Sequence, residues 1–222
     1  MRQVVAAAGQ LRALIESEMN GPLNLSFGLA AYIKASEGQV RDSEFDILLP
    51  NLVQQGRHIR NMTIAPDNRI SYIYPVLGNE MTLGVYYPDL TEQWPDIANL
   101  IQQRKPLLSG PLLLAQGGMG FVHRTPVYLT DGQYWGIVST VLNIDSIWQL
   151  LAQQAEAHQM QVALRRNVPA QWNDVLFGER DLFNDHNVIL DLNISVVIFS
   201  LNLPKHSSAK ELVTISTPSK SK

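Results

Sequence analysis

The stretch Leu107–Asp145, LLSGPLLLAQGGMGFVHRTPVYLTDGQYWGIVSTVLNID, decides how the chain folds. Two apolar runs, Gly120–Tyr128 and Tyr134–Ile144, flank Thr130-Asp131-Gly132. Asp-Gly between β-branched-rich segments is a strong hairpin signal, because the turn needs positive φ. The second run alternates: Trp135, Ile137, Ser139 and Val141 fall on one face, Gly136, Val138, Thr140 and Leu142 on the other. The Gly117-Gly118-Met119-Gly120 bend feeds the first strand. A hairpin this apolar requires helices against it, and a shaped cavity is expected beside it.

Outward from the hairpin, residues 2–34 carry apolar side chains at three-four spacing through Val4, Ala8, Leu11, Ile15, Met19 and Ile33, which predicts a helix. A helix of that length spans roughly 50 Å. Gly21-Pro22 predicts a kink or break, since proline removes a hydrogen bond and clashes with the preceding turn. The helix reads either as core or as a stalk pairing with its copy, and its length and charge-poor first turns favour the stalk. Asp42–Gln55 predicts a second helix, His58–Ala65 a less clean pattern, Arg69–Pro75 a strand and Leu90–Arg104 a helix. Leu107–Pro111 reads as a short strand ending in a turn. Beyond Asp145, an N-cap candidate, come a helix at Ser146–His158 and strands at Met160–Arg165, around Trp172–Phe177, at Val188–Asp191 and at Ile194–Asn202. His206–Lys222 is Ser/Thr/Lys-rich and reads as a linker or tail.

Composition removes whole classes of function. The chain has 222 residues, 45% hydrophobic, 17% charged, with net charge −3, which opposes nucleic-acid binding. It has no cysteine, hence no disulfide framework and no thiolate nucleophile. No apolar run reaches the length of a membrane span. Five scattered histidines show no metal-ligand spacing, and Asp181, Asp185 and His186 read better as a solvated loop than as a cation site. No nucleophile motif or paired-carboxylate motif occurs, so neither a catalytic residue nor a cofactor is expected.

Taken in order, Asn61-Met-Thr-Ile-Ala-Pro66, Ile70-Ser-Tyr-Ile-Tyr-Pro75, Gly78-Asn79-Glu80 with Gly84, Leu108-Ser-Gly-Pro111, Gln116-Gly-Gly118, Arg124-Thr-Pro126-Val-Tyr128 and Trp135-Gly136 give the chain a family likeness. From about Phe45 to Ile144 it resembles the CHASE domain, the extracytoplasmic sensory module of membrane-bound histidine kinases, diguanylate cyclases and phosphodiesterases. The resemblance implies an α+β fold with a long N-terminal stalk helix and two PAS-like lobes, antiparallel sheets flanked by helices. It implies a stalk at 1–42, a membrane-distal ligand-binding lobe at 43–145, a smaller membrane-proximal lobe at 146–204 and a tail at 205–222. In the plant cytokinin receptors that share the module, an acidic side chain holds the adenine ring. The matching position here falls near Tyr86, so that carboxylate is absent.

The expected function is therefore a periplasmic sensor, dimeric through its N-terminal helix and tethered by flanking membrane anchors. It would bind a small organic ligand and signal to a cytoplasmic output domain. The rival expectation is a periplasmic protein-interaction module without a small ligand. Candidate ligand contacts are Tyr72, Tyr74, Tyr86 and Trp135, which combine apolar area with a polar tip. Leu108 and Gly118 at the hairpin's edge join them. Arg124 inside the apolar first strand completes the set. Facing the cavity it is a fork-shaped anchor for an anion; facing solvent it is a surface charge.

Overall fold

A computed structural model describes residues 2–165, 175–183, 190–194, 197–201 and 211–215. The chain divides into two compact units, Gly21–Ile144 and Met1–Asn20 with Asp145–Lys222. Helix α1 (Arg2–Ala35) enters both. It runs unbroken through Pro22, contrary to a break there, and its stripe Leu11, Ile15, Met19, Leu23, Leu29 and Ile33 is buried. One missing hydrogen bond does not outweigh a buried face of this length.

In the Gly21–Ile144 unit, α2 (Asp42–Gln55) starts where the Arg41 backbone N–H and guanidinium both donate to the Glu44 carboxylate. Next come β1 (Ile59–Pro66), β2 (Tyr72–Tyr74), α3 (Trp94–Gln103), β3 (Leu107–Leu113), β4 (Met119–Tyr128) and β5 (Tyr134–Asn143). The five strands form one antiparallel sheet in the order β2-β1-β5-β4-β3. Strand β1 is buried on both faces from Asn61 to Ala65, which is why its alternation was weak in the sequence. One face carries Met62, Ile64, Val127 and Val138 against Leu29 and Ile33 of α1 and Phe45 and Leu49 of α2. The other carries Ala65 and Ile137 against Ile97 and Leu100 of α3 and Tyr87.

Strand β3 does not end at Pro111. It continues to Leu113 after an irregularity between Ser109 and Leu112, where Gly110 adopts φ +131°. A Cβ there would lie 2.7 Å from the Gly120 carbonyl oxygen, so only glycine fits. A second irregularity sits in β5. Val127 pairs with Gly136 but Tyr128 pairs with Tyr134, leaving Trp135 as an extra residue. The bulge turns Trp135 away from the Ile137 face, and it packs with the α1–α2 cluster instead. The expected alternation is thus corrected at this one position.

In the other unit, α4 (Ile144–Ala157) leads to β6 (Met160–Arg165), β7 (Val175–Phe177), β8 (Leu190–Ile194), β9 (Val197–Leu201) and β10 (Glu211–Ile215). Trp148 of α4 lies 5.3 Å from Phe177, ring to ring. Strands β8 and β9 pair antiparallel, and β6 pairs antiparallel with β7. The stretch read as a tail supplies β10, which pairs with β6 in parallel and adds one parallel ladder to the expected antiparallel sheets. Asp185, His186 and Trp172 lie outside the described residues.

His123 of β4 is fully buried on the α1 side, edge-on to Phe27 at 5.4 Å between ring centroids. Burial lowers its pKa from 6.5 to about 4, so the folded state holds it neutral. Its contribution to stability is complete above the unfolded pKa and declines as pH falls from 6.5 towards about 4. Over that window wild type is expected to lose roughly 3 kcal/mol more than His123→Leu. Chemical denaturation of both proteins across the range checks it; parallel pH profiles would remove the effect.

Candidate ligand-binding site

Strand register brings three polar side chains into one row across the α3 face. Thr63 of β1 stands opposite Ser139 of β5, which stands opposite Arg124 of β4. Directly opposite residues share a face of the sheet, so all three point the same way. They floor a cavity of about 410 Å³. Ile70 and Val85 flank it, and Tyr87, Leu90 and Gln93 lie on the segment leading into α3. The end of β3 and the turn after it supply Leu112, Leu113, Leu114, Ala115 and Gln116; Val122 and Val141 complete the apolar wall, and Thr82 adds a hydroxyl.

The polar groups are partly satisfied. Tyr87 Oη and Ser139 Oγ share a hydrogen bond of 2.9 Å. Arg124 Nη2 donates to Gln93 Oε1 at 2.6 Å, and its guanidinium lies 5.5 Å from the Tyr87 ring centroid. Thr82 Oγ1 donates to Gln116 Oε1 at 3.0 Å, and Arg60 Nη2 donates to the Gln116 carbonyl at 3.4 Å. Two buried atoms on the row have no partner: Arg124 Nε and Thr63 Oγ1. Arg124 is only 4% exposed, and burial pushes its pKa below the usual arginine value against the opposing pull of Tyr87 and Asp96. Arginine nevertheless stays charged in proteins. No described carboxylate forms an ion pair with it.

Of the seven residues singled out from the sequence, Arg124 lines this cavity. Tyr72 and Tyr74 do not. They pair with Ile64 and Met62 and pack on the α1–α2 face. There the Tyr72 hydroxyl donates to Asp42, and that bond, together with burial, raises its pKa to about 12. Leu108 pairs with His123 and so shares that opposite face. Trp135 is turned there by its bulge. Tyr86 lies under the Arg69 guanidinium, 4.7 Å from its ring centroid, while the adjacent Tyr87 lines the cavity. Gly118 stays in the turn, its carbonyl accepting from the Leu114 amide, with its Cβ direction towards Arg60. Sequence reasoning missed Thr63, Tyr87, Gln93 and the 112–116 segment. Ser139 was placed on the same strand face as Ile137, and the hairpin register carries it opposite Arg124.

A buried guanidinium without an anion costs stability, and replacing such a group by an apolar one is often neutral or favourable. Arg124→Leu is therefore expected to stay within about 1 kcal/mol of wild type, or to exceed it, without ligand. Urea unfolding measures this; a loss of several kcal/mol would make Arg124 a structural residue.

The family model of the CHASE domain matches residues 18–177. No curated protein matches the chain. Among solved structures, an extracellular ligand-binding receptor from Desulfohalobium retbaense DSM5692 is similar with TM-score 0.67 and 14% identity, over 93% of this chain. The match spans 38% of that receptor's chain. The extracellular domain of a putative histidine kinase gives TM-score 0.56 and 14% identity, over 96% of this chain and 92% of that one. The ligand-binding domain of the Pseudomonas aeruginosa PAO1 amino-acid chemoreceptor PctC, in complex with GABA, gives 0.57 and 13%, over 86% and 88%. At such identities the likeness is one of fold, the PAS-like architecture of sensor domains. No described helix is long and apolar enough to cross a membrane. The family match covers most of the chain, and with it the chain belongs to the CHASE domain family, non-catalytic sensory modules on the extracytoplasmic side of membrane receptors.

Proposed function

We propose that the Gly21–Ile144 unit is the membrane-distal, ligand-binding lobe of a sensor and that the cavity over Thr63, Ser139 and Arg124 takes a small organic molecule. The observation that carries this is the buried Arg124 with an unpartnered Nε lining a cavity of about 410 Å³. A site of that size, mostly apolar with a few convergent polar groups, is what small ligands occupy. The GABA complex of PctC adds that a protein of similar fold holds a small ligand.

Transmission in this proposal runs through the sheet to α1. The strands that carry the polar row present His123 and Thr140 on the reverse face. His123 meets Phe27 there, and Thr140 Oγ1 hydrogen-bonds Ser26 Oγ at 2.5 Å. Ligand contact with β4 and β5 would shift the helix, and through it the balance of two packings of a dimer. The output domain then lies outside this chain. One loop favours the rival reading of a protein partner: it exposes Val76, Leu77, Met81 and Leu83, Leu77 by 87%.

A thermal-shift screen against amino acids, organic acids, nucleobases and polyamines separates the two. The expected result is a rise with one compound class, abolished in Arg124→Ala and retained in Tyr86→Ala. No response to any class would favour the protein partner. The dimer has its own test, made clean by the absence of native cysteine. Ser17 is exposed on α1, and Ser17→Cys is expected to cross-link between copies under mild oxidation. A purely monomeric product on non-reducing gels would remove pairing through the helix at this position.

A further inference from the structure

Building on the reading of the cavity as a ligand site, we propose that its occupant is a carboxylate with an apolar tail, a single negative charge and no ammonium group. The charge balance of the lining carries the point. Among the described residues Arg124 is the one ionised side chain that lines the cavity, and no described aspartate or glutamate does. Tyr87 and then Asp96 act on Arg124 electrostatically; Asp96, the one carboxylate of the two, is exposed and outside the lining. A guanidinium buried to this degree calls for an anion, and none of the described residues supplies one in contact.

Geometry narrows the anion. Nη2 of Arg124 is engaged by Gln93, while Nε–H remains open, and the Thr63 hydroxyl on the same row is open as well. Both donate towards acceptor oxygens, as a carboxylate requires. A dianion would need a second lining cation. Arg60, bound to the Gln116 carbonyl, and Arg69, bound to the Gly84 carbonyl, are cations nearby, and neither lines the cavity. An ammonium would enter beside Arg124 with no lining carboxylate to receive it, a like-charge pair. The wall beyond the polar row is Leu112, Leu114, Val122 and Val141, which suits hydrocarbon.

The test uses matched compounds in isothermal titration of the whole chain. Hexanoate and phenylpropanoate are compared with their amides and with norleucine and phenylalanine, which add an ammonium to the same tails. The acids are expected to bind at least about tenfold tighter than the amides and the amino acids. Gln93→Glu places a carboxylate where Gln93 Oε1 now sits, 2.6 Å from Arg124 Nη2. It is expected to abolish acid binding and to leave the melting temperature equal or higher, which a misfolded variant would not. Amino acids binding as tightly as the acids would overturn the exclusion of ammonium. Amides binding as tightly would overturn the anion, and in both cases the cavity reading stands. No binding by any of these, with a nucleobase or polyamine responding in the wider screen, overturns the inference alone. Silence in both overturns the cavity reading with it.

Discussion

The register of the β4–β5 hairpin is the constraint on which the rest of the site depends. Arg124 stands opposite Ser139, and Ser139 stands opposite Thr63 on the next strand. Because side chains alternate with period two, a slip of one residue would send Arg124 to the α1 face and bring His123 to the cavity. Neither face tolerates the exchange. The α1 side holds the fully buried Met62 and Leu142 together with the neutral polar groups His123, Thr140 and Ser26, while the cavity side supplies Gln93 and Tyr87 to the guanidinium. The Asp131-Gly132 turn and the two-sided burial of the sheet therefore act together, one setting the register and the other enforcing it.

Two-sided burial also brings the candidate site close to the N-terminal helix. His123 and Arg124 are neighbours in sequence and point to opposite faces, one against Phe27 and the other into the cavity. Stiff backbone joins them, and the ladder hydrogen bonds of β4 limit how far one moves without the other. The cost of Arg124 is carried by the apolar clusters on the two faces, a distribution often seen where a binding site spends stability that the core supplies.

The fold class, the hairpin and the family were legible because their signals are local: an Asp-Gly turn between alternating runs, a long three-four apolar stripe, and ordered words at fixed spacing. The facing of individual aromatics was not. Tyr72 and Tyr74 look like pocket residues by composition, but the β1–β2 pairing puts them with Ile64 and Met62. Trp135 obeys alternation in the sequence and escapes it through a bulge that no residue announces. Tyr86 and Tyr87 are adjacent, and which one turns inward is set by the short three-ten turn at Tyr87–Asp89. Leu112–Leu114 were hidden because Gly110-Pro111 resembles the end of a strand and is a bend within one. Arg124 was visible as an odd charge in an apolar strand, and its direction needed the packing of both faces.

The hydrogen bond between Thr82 and Gln116 joins two segments far apart in sequence that both line the cavity. It is a neutral pair, worth on the order of 1 kcal/mol. Parting those segments at this bond is therefore a small thermal fluctuation and not an unfolding event. On the proposed reading of the cavity, a molecule passing between those segments would meet little resistance at this bond, and occupancy would follow the surrounding concentration closely. For a sensor that reports the present state of its surroundings, a weak latch of that kind would be a better instrument than a tight trap.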